Sequence, residues 1–244
     1  RDFGTTVSLG IGERPTIELL TEPEHKPLTN HWALLERCGA TEIVAWLKER
    51  SQHTDHDPAD WTGPDDWLED RTRVIAGRRT LEAVATPGHT QGHVVFVDES
   101  AGVLFAGDHV LPHITPSIGF EAIPAANPLG DYLRSLQLVR ELPDRRLLPA
   151  HGPVSPSVHA RVDELVAHHG RRLDQTVAAV AADSLTAYET AARLTWTRRE
   201  RPFRDLDPFN QMLAVTETAA HLDLLVAQGR MVRSDDPVRR YRQP

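Results

Sequence analysis

The stretch "ATPGHTQGHVVFVDES", residues 85 to 100, contains two histidines four positions apart, His89 and His93. On a helix this spacing would place both imidazoles on one face, as in the zinc sites of metalloproteases. Pro87 and Gly88 directly precede the first histidine, and both residue types disfavour a helix. The segment is therefore predicted to be a turn, in which the two histidines have different roles.

Strand patterns lie on both sides of this turn. Residues 80 to 85 have a strand-like pattern that alternates between polar and apolar side chains up to Ala83, and residues 94 to 97 are all β-branched or aromatic. His89 is thus expected on a loop at the carboxyl end of a strand, where a rigid sheet can present a metal ligand. His93, at the start of the next strand, is expected to hold the turn together. Taken alone, the pair is also open to a purely structural interpretation.

The bulk composition indicates a globular chain with a sizeable core. The 244 residues are 40% hydrophobic and 25% charged, and no apolar run approaches the ~20 residues that cross a bilayer. The single cysteine, Cys38, excludes an internal disulfide framework and a cysteine-built zinc finger, so a cytoplasmic protein is expected. Any metal site is then built from the 13 histidines and the acidic residues, a donor set that suits zinc, iron or manganese.

The formal net charge of −8 argues against a strongly basic nucleic-acid surface, but the charge is unevenly distributed. Residues 171 to 244 contain 12 Lys and Arg against 10 Asp and Glu, a balance of +2, which leaves −10 for residues 1 to 170. A nucleic-acid contact is therefore possible but not favoured, and it would fall to the C-terminal part.

Apolar periodicity indicates a mixture of helices and strands. A helical hairpin is predicted over about residues 29 to 50, and its His31, Trp32 and Trp46 belong either to a lid over a pocket or to the hairpin core. Further along, strands are predicted at residues 74–75, 81–86, 94–97, 103–106 and 146–148, with a helix over 130–142.

The C-terminal part changes character. A long helix is predicted from Val158, followed by a helix capped by residues 184 to 186, a helix over 208–228 and a hairpin turning at 235–237. Two helices and a hairpin in this order indicate a winged helix-turn-helix. The predicted domains are a catalytic domain (1–155, including the hairpin lid), a connecting helix (156–182) and a winged-helix-like domain (183–244).

Three short segments share one design, in which a strand is followed by a small or bending residue and then by a metal-capable side chain. "TPGH" ends at His89, "LFAGD" ends at Asp108 and "LLPAH" ends at His151. These side chains are expected along one edge of a sheet, where two histidines and a carboxylate suit a catalytic metal. His109 and His113, beside the second segment, are expected to contact the substrate, to lie at the surface, or to support the ligands from behind.

In this order, "TPGHTQGH", "LFAGDHV" and "PAHGPV" resemble the C-terminal motifs of the metallo-β-lactamase superfamily. The resemblance covers about residues 74 to 155. The later segments "GDYLRSL", "ARVDELVAHH" and "TAAHLDLLVAQGRM" are similar to the branch with a C-terminal winged helix, which has endoribonuclease-like and acyl carrier protein thioesterase-like members. The implied fold is α/β: the C-terminal part of an αβ/βα sandwich, followed by a small winged-helix domain.

The resemblance also implies roles for the three segments. His89 would bind one metal, Asp108 would bridge two metals as the catalytic carboxylate, and His151 would bind the second, with His93 as a structural member of its motif. Two zinc ions are implied for the intact protein. A bridging carboxylate holds two cations close enough to share a hydroxide, which attacks a carbonyl or phosphoryl centre.

The remaining ligands of the superfamily come from a His-x-His-x-Asp-His motif. "SQHTDH", residues 51 to 56, places His53, Asp55 and His56 at that spacing, but it follows a charged helix end and is better explained as a polar loop. The motif itself is expected before Arg1. Three donors alone would bind at best one metal and would make a poor hydrolase.

These observations predict a cytoplasmic metal-dependent hydrolase of a small-molecule or acyl substrate with an ester or thioester bond. The alternatives are endoribonuclease-like phosphodiester hydrolysis, a nucleic-acid or protein-binding function of the winged helix with an inactive sandwich, and redox chemistry with iron in the same ligands. The oligomeric state is open.

Overall fold

The computed structural model describes residues 4–22, 25, 28–51, 61–181 and 183–244. The chain divides into two compact units. The first comprises residues 1–23, 57–116 and 130–167, and the second comprises residues 24–56, 117–129 and 168–244.

The described residues form seven α-helices. In chain order they are α1 (Arg14–Leu20), α2 (Thr29–Arg37), α3 (Thr41–Ser51), α4 (Pro128–Glu141), α5 (Val158–Val180), α6 (Ala187–Arg193) and α7 (Pro208–Ala227). The predicted helical hairpin, the long helix from Val158 and the two C-terminal helices are confirmed, whereas α1 was not predicted.

The described residues also form eleven strands, several of them very short. They are β1 (Ser8–Gly10), β2 (Asp66–Leu68), β3 (Thr72–Ala76), β4 (Arg79–Ala85), β5 (Val94–Asp98), β6 (Val103–Gly107), β7 (Arg146–Pro149), β8 (Thr195–Trp196), β9 (Arg201–Pro202), β10 (Val232–Ser234) and β11 (Arg240–Arg242). The five strands predicted between residues 74 and 148 correspond to β3 to β7.

A five-stranded sheet of order β3-β4-β5-β6-β7 organises the first unit. The pairs from β3 to β6 are antiparallel, as expected for strands joined by short turns, and β6 and β7 are parallel. The connection from β6 to β7 contains α4, as a parallel pair requires a long crossover. Consequently β4, β6 and β7 run in the same direction, and their carboxyl ends meet at one edge of the sheet.

The two faces of this sheet differ in burial. On one face Val84, Val95, Leu104 and Leu147 are at most 2% exposed, and apolar side chains of α4 and of the first half of α5 are buried as well. On the opposite face Phe105 is 39% exposed. The sheet therefore has one packed face and one partly exposed apolar face.

The helical hairpin of α2 and α3 belongs to the second unit. Its backbone is tied to the C-terminal elements, because Tyr188 donates its N–H to the Cys38 carbonyl at 3.1 Å and Arg239 donates to the Arg37 carbonyl at 2.9 Å. The structure thus groups the hairpin with the C-terminal helices, whereas the sequence-based division placed it with residues 1 to 155. The domain boundaries proposed from the sequence stay predictions.

The C-terminal elements follow the order expected from the sequence. α6 begins with a reciprocal cap, in which Thr186 Oγ1 accepts from the Glu189 N–H and the Glu189 carboxylate accepts from the Thr186 N–H. α7 is buried along most of its length, and β10 and β11 pair as an antiparallel hairpin. In the part of the chain that the structure describes, no helix is both long and apolar enough to cross a membrane.

Candidate metal centre

The three predicted ligands follow the three strands whose carboxyl ends share one edge of the sheet. His89 lies four residues after β4, Asp108 directly follows β6, and His151 lies two residues after β7. The Ala150 N–H donates to the Gly107 carbonyl at 3.0 Å, which ties the second loop to the third. The sheet topology therefore explains why residues separated by about sixty positions in the sequence approach each other.

The turn that carries His89 is held by α4. Ser135 on that helix donates its hydroxyl to the Pro87 carbonyl at 2.8 Å. Gly88 has φ of +143°, and a Cβ at this position would lie 2.4 Å from Cα of Tyr132. A glycine is required here because the turn and the helix approach more closely than any side chain permits.

Asp108 is positioned through its backbone by His93. The Asp108 N–H donates to Nε2 of His93 at 3.2 Å, so this nitrogen is unprotonated and the proton lies on Nδ1, which faces Thr86 Oγ1 at 2.8 Å. Burial, with a smaller contribution from the nearby His89, lowers the pKa of His93 to about 4, which keeps the ring neutral at physiological pH. The structure thus places His93 between Thr86 and the backbone of Asp108.

The carboxylate of Asp108 faces two imidazoles, one with each oxygen. Its Oδ1 lies 3.4 Å from Nε2 of His151, and its Oδ2 lies 4.0 Å from Nε2 of His89. The side chains of His89, Asp108 and His151 are 25%, 33% and 68% exposed, so the cluster is open to solvent on the His151 side. The structure therefore brings the three predicted ligands together.

His89, Asp108 and His151 have the donor atoms expected of three metal ligands. Their present separations, however, are not all short enough for the three to bind one ion together. Two donors that share a tetrahedral zinc ion lie roughly 3.4 Å apart, which the pair of Asp108 and His151 matches. The separation of Asp108 and His89 is wider, and no three His, Cys, Asp or Glu side chains within the described residues form a group arranged to hold a metal. The donor chemistry is that of zinc, iron or manganese sites.

His109 is an interior residue. Its side chain is fully buried, and its ring lies between His93, at 5.9 Å between centroids, and Tyr132, at 5.2 Å. Burial lowers the pKa of His109 to about 3. A ring without exposed surface offers no atom to a substrate, so the structure places His109 in the interior and not on a substrate-facing surface.

His113 and the "SQHTDH" segment complete the set of predicted residues. His113 is exposed, and a Cβ added to Gly152 would lie 4.0 Å from its ring, so it stands beside the loop that carries His151. His53, Asp55 and His56 lie outside the described residues. Their assignment as ligands, which the sequence did not favour, stays a prediction.

Three supporting residues escaped the sequence analysis: Thr86, Tyr132 and Ser135. Tyr132 donates its hydroxyl to the His109 carbonyl at 2.9 Å, and Thr86 and Ser135 bond to the turn as described above. Thr86 could have been identified, since a hydroxyl residue directly before the Pro-Gly turn is a common local hydrogen-bond partner. The two residues of α4 gave no signal, because their partners are distant in the sequence.

Comparison with known proteins identifies the family. A sequence profile described as the Metallo-beta-lactamase superfamily matches residues 25–151, slightly more than half of the chain. The chain is 29% identical over 186 residues to "Lactamase-like protein adaB" of Aspergillus niger, covering 73% of this chain and 55% of that protein. It is 27% identical over 158 residues to "Probable metallo-hydrolase YqjP" of Bacillus subtilis, covering 63% of this chain and 47% of that protein. It thus spans about half the length of these curated relatives.

A solved structure supports the same assignment over the whole chain. The crystal structure of a metallo-beta-lactamase family protein from Thermus thermophilus superposes with a TM-score of 0.79 at 30% sequence identity. The match covers 100% of this chain and 73% of the Thermus chain. The mixed α/β architecture described above is therefore the metallo-β-lactamase fold, a fold associated with divalent metal ions. The profile match and the shared structure show that this chain belongs to the metallo-β-lactamase superfamily.

Proposed function

We propose that the protein is a metal-dependent hydrolase that cleaves ester or thioester bonds. One observation carries the proposal: each oxygen of the Asp108 carboxylate faces a different imidazole, that of His89 or that of His151, at the common edge of three strands. A carboxylate placed between two sets of nitrogen donors is suited to bridging two cations.

In this proposal His89 would hold one cation and His151 the other, with the Asp108 carboxylate available to both. Zinc is the proposed metal, because imidazole and carboxylate groups are common zinc ligands. The donor set contains no thiolate, and it suits iron and manganese as well. Two ions need more donors than these three residues supply. Bound there, the cations would lower the pKa of a water molecule and polarise the bond that is attacked.

The chain's own residues supply positioning and access. His93 and Thr86 hold the Asp108 backbone, so the carboxylate keeps a fixed direction while its two oxygens stay available. His151 is 68% exposed and His113 is exposed beside it, which makes this side the proposed approach of the substrate. His113 then contacts the substrate, whereas His109 supports the site from the interior.

Charge favours a small or acyl substrate over a nucleic acid at this site. Residues 1 to 170, which contain the three proposed ligands, carry a formal charge of −10. Such a field repels a polyanion and tolerates a neutral ester or thioester. Phosphodiester hydrolysis remains the alternative reaction of the same centre.

We further propose that α6, α7 and the hairpin of β10 and β11 form a winged helix, placing the protein in the branch with that C-terminal domain. The order of helix, helix and antiparallel hairpin supports this, as does the bridge between Leu185 and Tyr241, which adds a third short strand segment to the wing. A cytoplasmic location is proposed from the single buried cysteine, Cys38.

Metal content tests the ligand assignment. Elemental analysis of the purified protein is compared with Asp108→Asn, His151→Ala and His113→Ala, the last being a nearby exposed histidine outside the proposed ligand set. Bound zinc that is lost in the first two variants and kept in the third supports the assignment. Equal metal content in all four proteins, or none in any, contradicts it.

Activity tests the reaction. Hydrolysis of an aryl ester, an acyl thioester and a phosphodiester is measured before and after chelation and after zinc is restored. The proposal expects ester or thioester turnover that is lost on chelation, regained with zinc and absent in Asp108→Asn. Turnover of the phosphodiester alone would replace this proposal by the alternative reaction.

A further inference from the structure

The second unit carries a compact group of arginines on the turn between β8 and β9. The segment "TRRERPFR", residues 197 to 204, contains four arginines and one glutamate, a local charge of +3 in a chain whose net charge is −8. We call residues 195 to 204 the arginine hairpin. Its arginines are Arg198, Arg199, Arg201 and Arg204, and all four are exposed.

The base of the arginine hairpin is fixed to the unit. Trp196 in β8 is 8% exposed and donates its indole N–H to the Ala191 carbonyl at 3.0 Å. The guanidinium of Arg172 lies 4.3 Å from the centre of the Trp196 ring and donates to the Thr195 carbonyl at 3.0 Å.

The other end of the hairpin is anchored in a similar way. Phe203 is 5% exposed, and its ring meets that of Tyr188 edge to face, with centroids 5.5 Å apart. Because both ends are buried, the residues between them are held at the surface, where their side chains face solvent.

The arginines at the tip are not neutralised by the protein. Among the described residues, the guanidinium groups of Arg198, Arg199 and Arg201 make no ion pair or side-chain hydrogen bond, and that of Arg204 has only its neighbour Asp205 at 3.8 Å. Five other arginines of the same unit are paired with carboxylates, namely Arg193, Arg230, Arg233, Arg239 and Arg240. Three guanidinium groups without a carboxylate partner among the described residues therefore lie within four consecutive positions of the arginine hairpin.

The composition of the tip distinguishes between classes of partner. The centre of a protein interface is usually built around aromatic or large apolar side chains, often with arginine beside them. The exposed residues 197 to 202 are Thr, Arg, Arg, Glu, Arg and Pro, with no aromatic or large aliphatic side chain. The two aromatic residues of the hairpin, Trp196 and Phe203, are buried within the unit and unavailable to a partner. This surface suits a partner that is bound through charge alone.

We propose that the arginine hairpin binds the phosphate backbone of double-helical nucleic acid, independently of base sequence. Guanidinium forks match phosphate geometry, and a duplex presents about one charge per 1.7 Å of its axis, twice the density of a single strand. A two-stranded β-ribbon also fits the major groove of B-form DNA, which is about 12 Å wide. Without an exposed aromatic side chain, the tip has no platform on which unpaired bases could stack.

This proposal goes beyond the hydrolase function and does not depend on it. None of the four arginines belongs to the first unit, which contains His89, Asp108 and His151. Loss of nucleic-acid binding and loss of ester hydrolysis are therefore separate outcomes.

The test is fluorescence anisotropy with a labelled duplex DNA of about 20 base pairs at low salt. Binding in the micromolar range is expected, with a slope of log affinity against log salt of about −3, since each neutralised phosphate contributes about −0.9. The variant combines Arg198→Gln, Arg199→Gln and Arg201→Gln. The matched control combines Arg37→Gln, Arg171→Gln and Arg242→Gln, which removes the same charge from other exposed positions of the unit.

The hairpin variant is expected to lose at least tenfold in affinity and most of the salt slope, whereas the control loses less than threefold. Two duplexes of unrelated sequence are expected to bind equally, and a single strand of the same length is expected to bind more weakly. Equal losses in the two triple variants, or no binding by the unmodified protein, would overturn the proposal. Competition by poly-glutamate as effective as that by duplex DNA would assign the surface to an acidic protein instead.

Discussion

The backbone N–H of Asp108 donates to Nε2 of His93 at 3.2 Å, so one proposed metal ligand is held by a residue that is not itself a proposed ligand. The other ring nitrogen of His93 faces Thr86 Oγ1 at 2.8 Å. The imidazole thus links the end of β4 to the turn after β6, across the strand that lies between them. The direction of the Asp108 carboxylate depends on this link.

Replacing His93 is expected to weaken metal binding without removing a ligand. His93→Ala leaves the Asp108 N–H without its acceptor, and loss of such a supporting contact typically lowers metal affinity by about 10- to 100-fold. His93→Gln is the control, because its Oε1 can accept from the same N–H. Zinc affinity measured by competition with a chromophoric chelator checks the effect. Equal affinities of the Ala variant and the unmodified protein would show that the link has no positioning role.

A side chain at position 107 is expected to destabilise the protein mainly by a steric clash with His93, in addition to the cost of the positive φ angle. Gly107 has φ of +51°, and a Cβ there would lie 2.6 Å from Nε2 of His93. Gly77 has φ of +62° with nothing within 4 Å of its Cβ position, so Gly77→Ala isolates the conformational cost. We expect the free energy of unfolding to fall by about 1 kcal/mol for Gly77→Ala and by about 3 kcal/mol for Gly107→Ala. Urea denaturation measures both values, and similar losses would contradict the proposed contact.

The strands and the three ligand turns were predictable because their signals are local. Short apolar runs, some of them rich in β-branched residues, marked β3 to β7, and Gly88 and Gly107 marked the turns. The common edge of His89, Asp108 and His151 then follows from the parallel direction of β4, β6 and β7. Predicting that the three ligands lie close together therefore required only the directions of the strands and no knowledge of side-chain packing.

The features that escaped the sequence depend on contacts between distant residues or on very short elements. The burial of His109 depends on its contact with Tyr132 of α4. The residues next to His109 in the sequence do not indicate that this helix packs against it. The association of α2 and α3 with the C-terminal helices rests on backbone bonds such as that between Tyr188 and Cys38, 150 positions apart. β8 and β9 have two residues each, too few to show a period.

Acid is expected to weaken the turn between β5 and β6 through Asp98. This buried carboxylate accepts from the Ser100 hydroxyl at 2.7 Å, from Arg79 at 2.6 Å and from the Ala101 N–H at 2.9 Å. These bonds, that of Ser100 first, lower the pKa of Asp98 to about 2 from an ordinary value of 3.8. Because the folded-state pKa is depressed, the stabilisation is fully present above the ordinary value and is lost as the pH falls toward 2.

The melting temperature as a function of pH checks this expectation. Asp98→Asn is expected to melt well below the unmodified protein at pH 6, and the difference is expected to narrow between pH 4 and pH 2. Arg79→Gln keeps the bonds from Ser100 and Ala101, so its melting temperature is expected to differ less from that of the unmodified protein. This difference is also expected to narrow between pH 4 and pH 2. A difference between the unmodified protein and Asp98→Asn that stays constant down to pH 2 would rule out this carboxylate as the origin.

Two buried histidines of the second unit are expected to respond oppositely to the same substitution. His31 is 5% exposed, its ring lies 4.5 Å from that of Phe120, and neither ring nitrogen has a hydrogen-bond partner among the described residues. Burial lowers its pKa to about 4, so the ring is neutral at physiological pH. His221 is equally buried, but its Nδ1 lies 2.8 Å from the Glu217 carbonyl and its Nε2 lies 3.3 Å from Nδ1 of His169.

Substitution by leucine removes an imidazole without hydrogen-bond partners at His31 and a hydrogen-bonded imidazole at His221. We expect His31→Leu to raise the free energy of unfolding by about 1 kcal/mol and His221→Leu to lower it by about 1 to 3 kcal/mol, because a buried polar group without a partner carries an uncompensated desolvation cost. Urea denaturation at pH 7 measures both changes. A loss of stability in His31→Leu as large as that in His221→Leu would show that the imidazole of His31 is hydrogen-bonded in solution, by water or by a bound molecule.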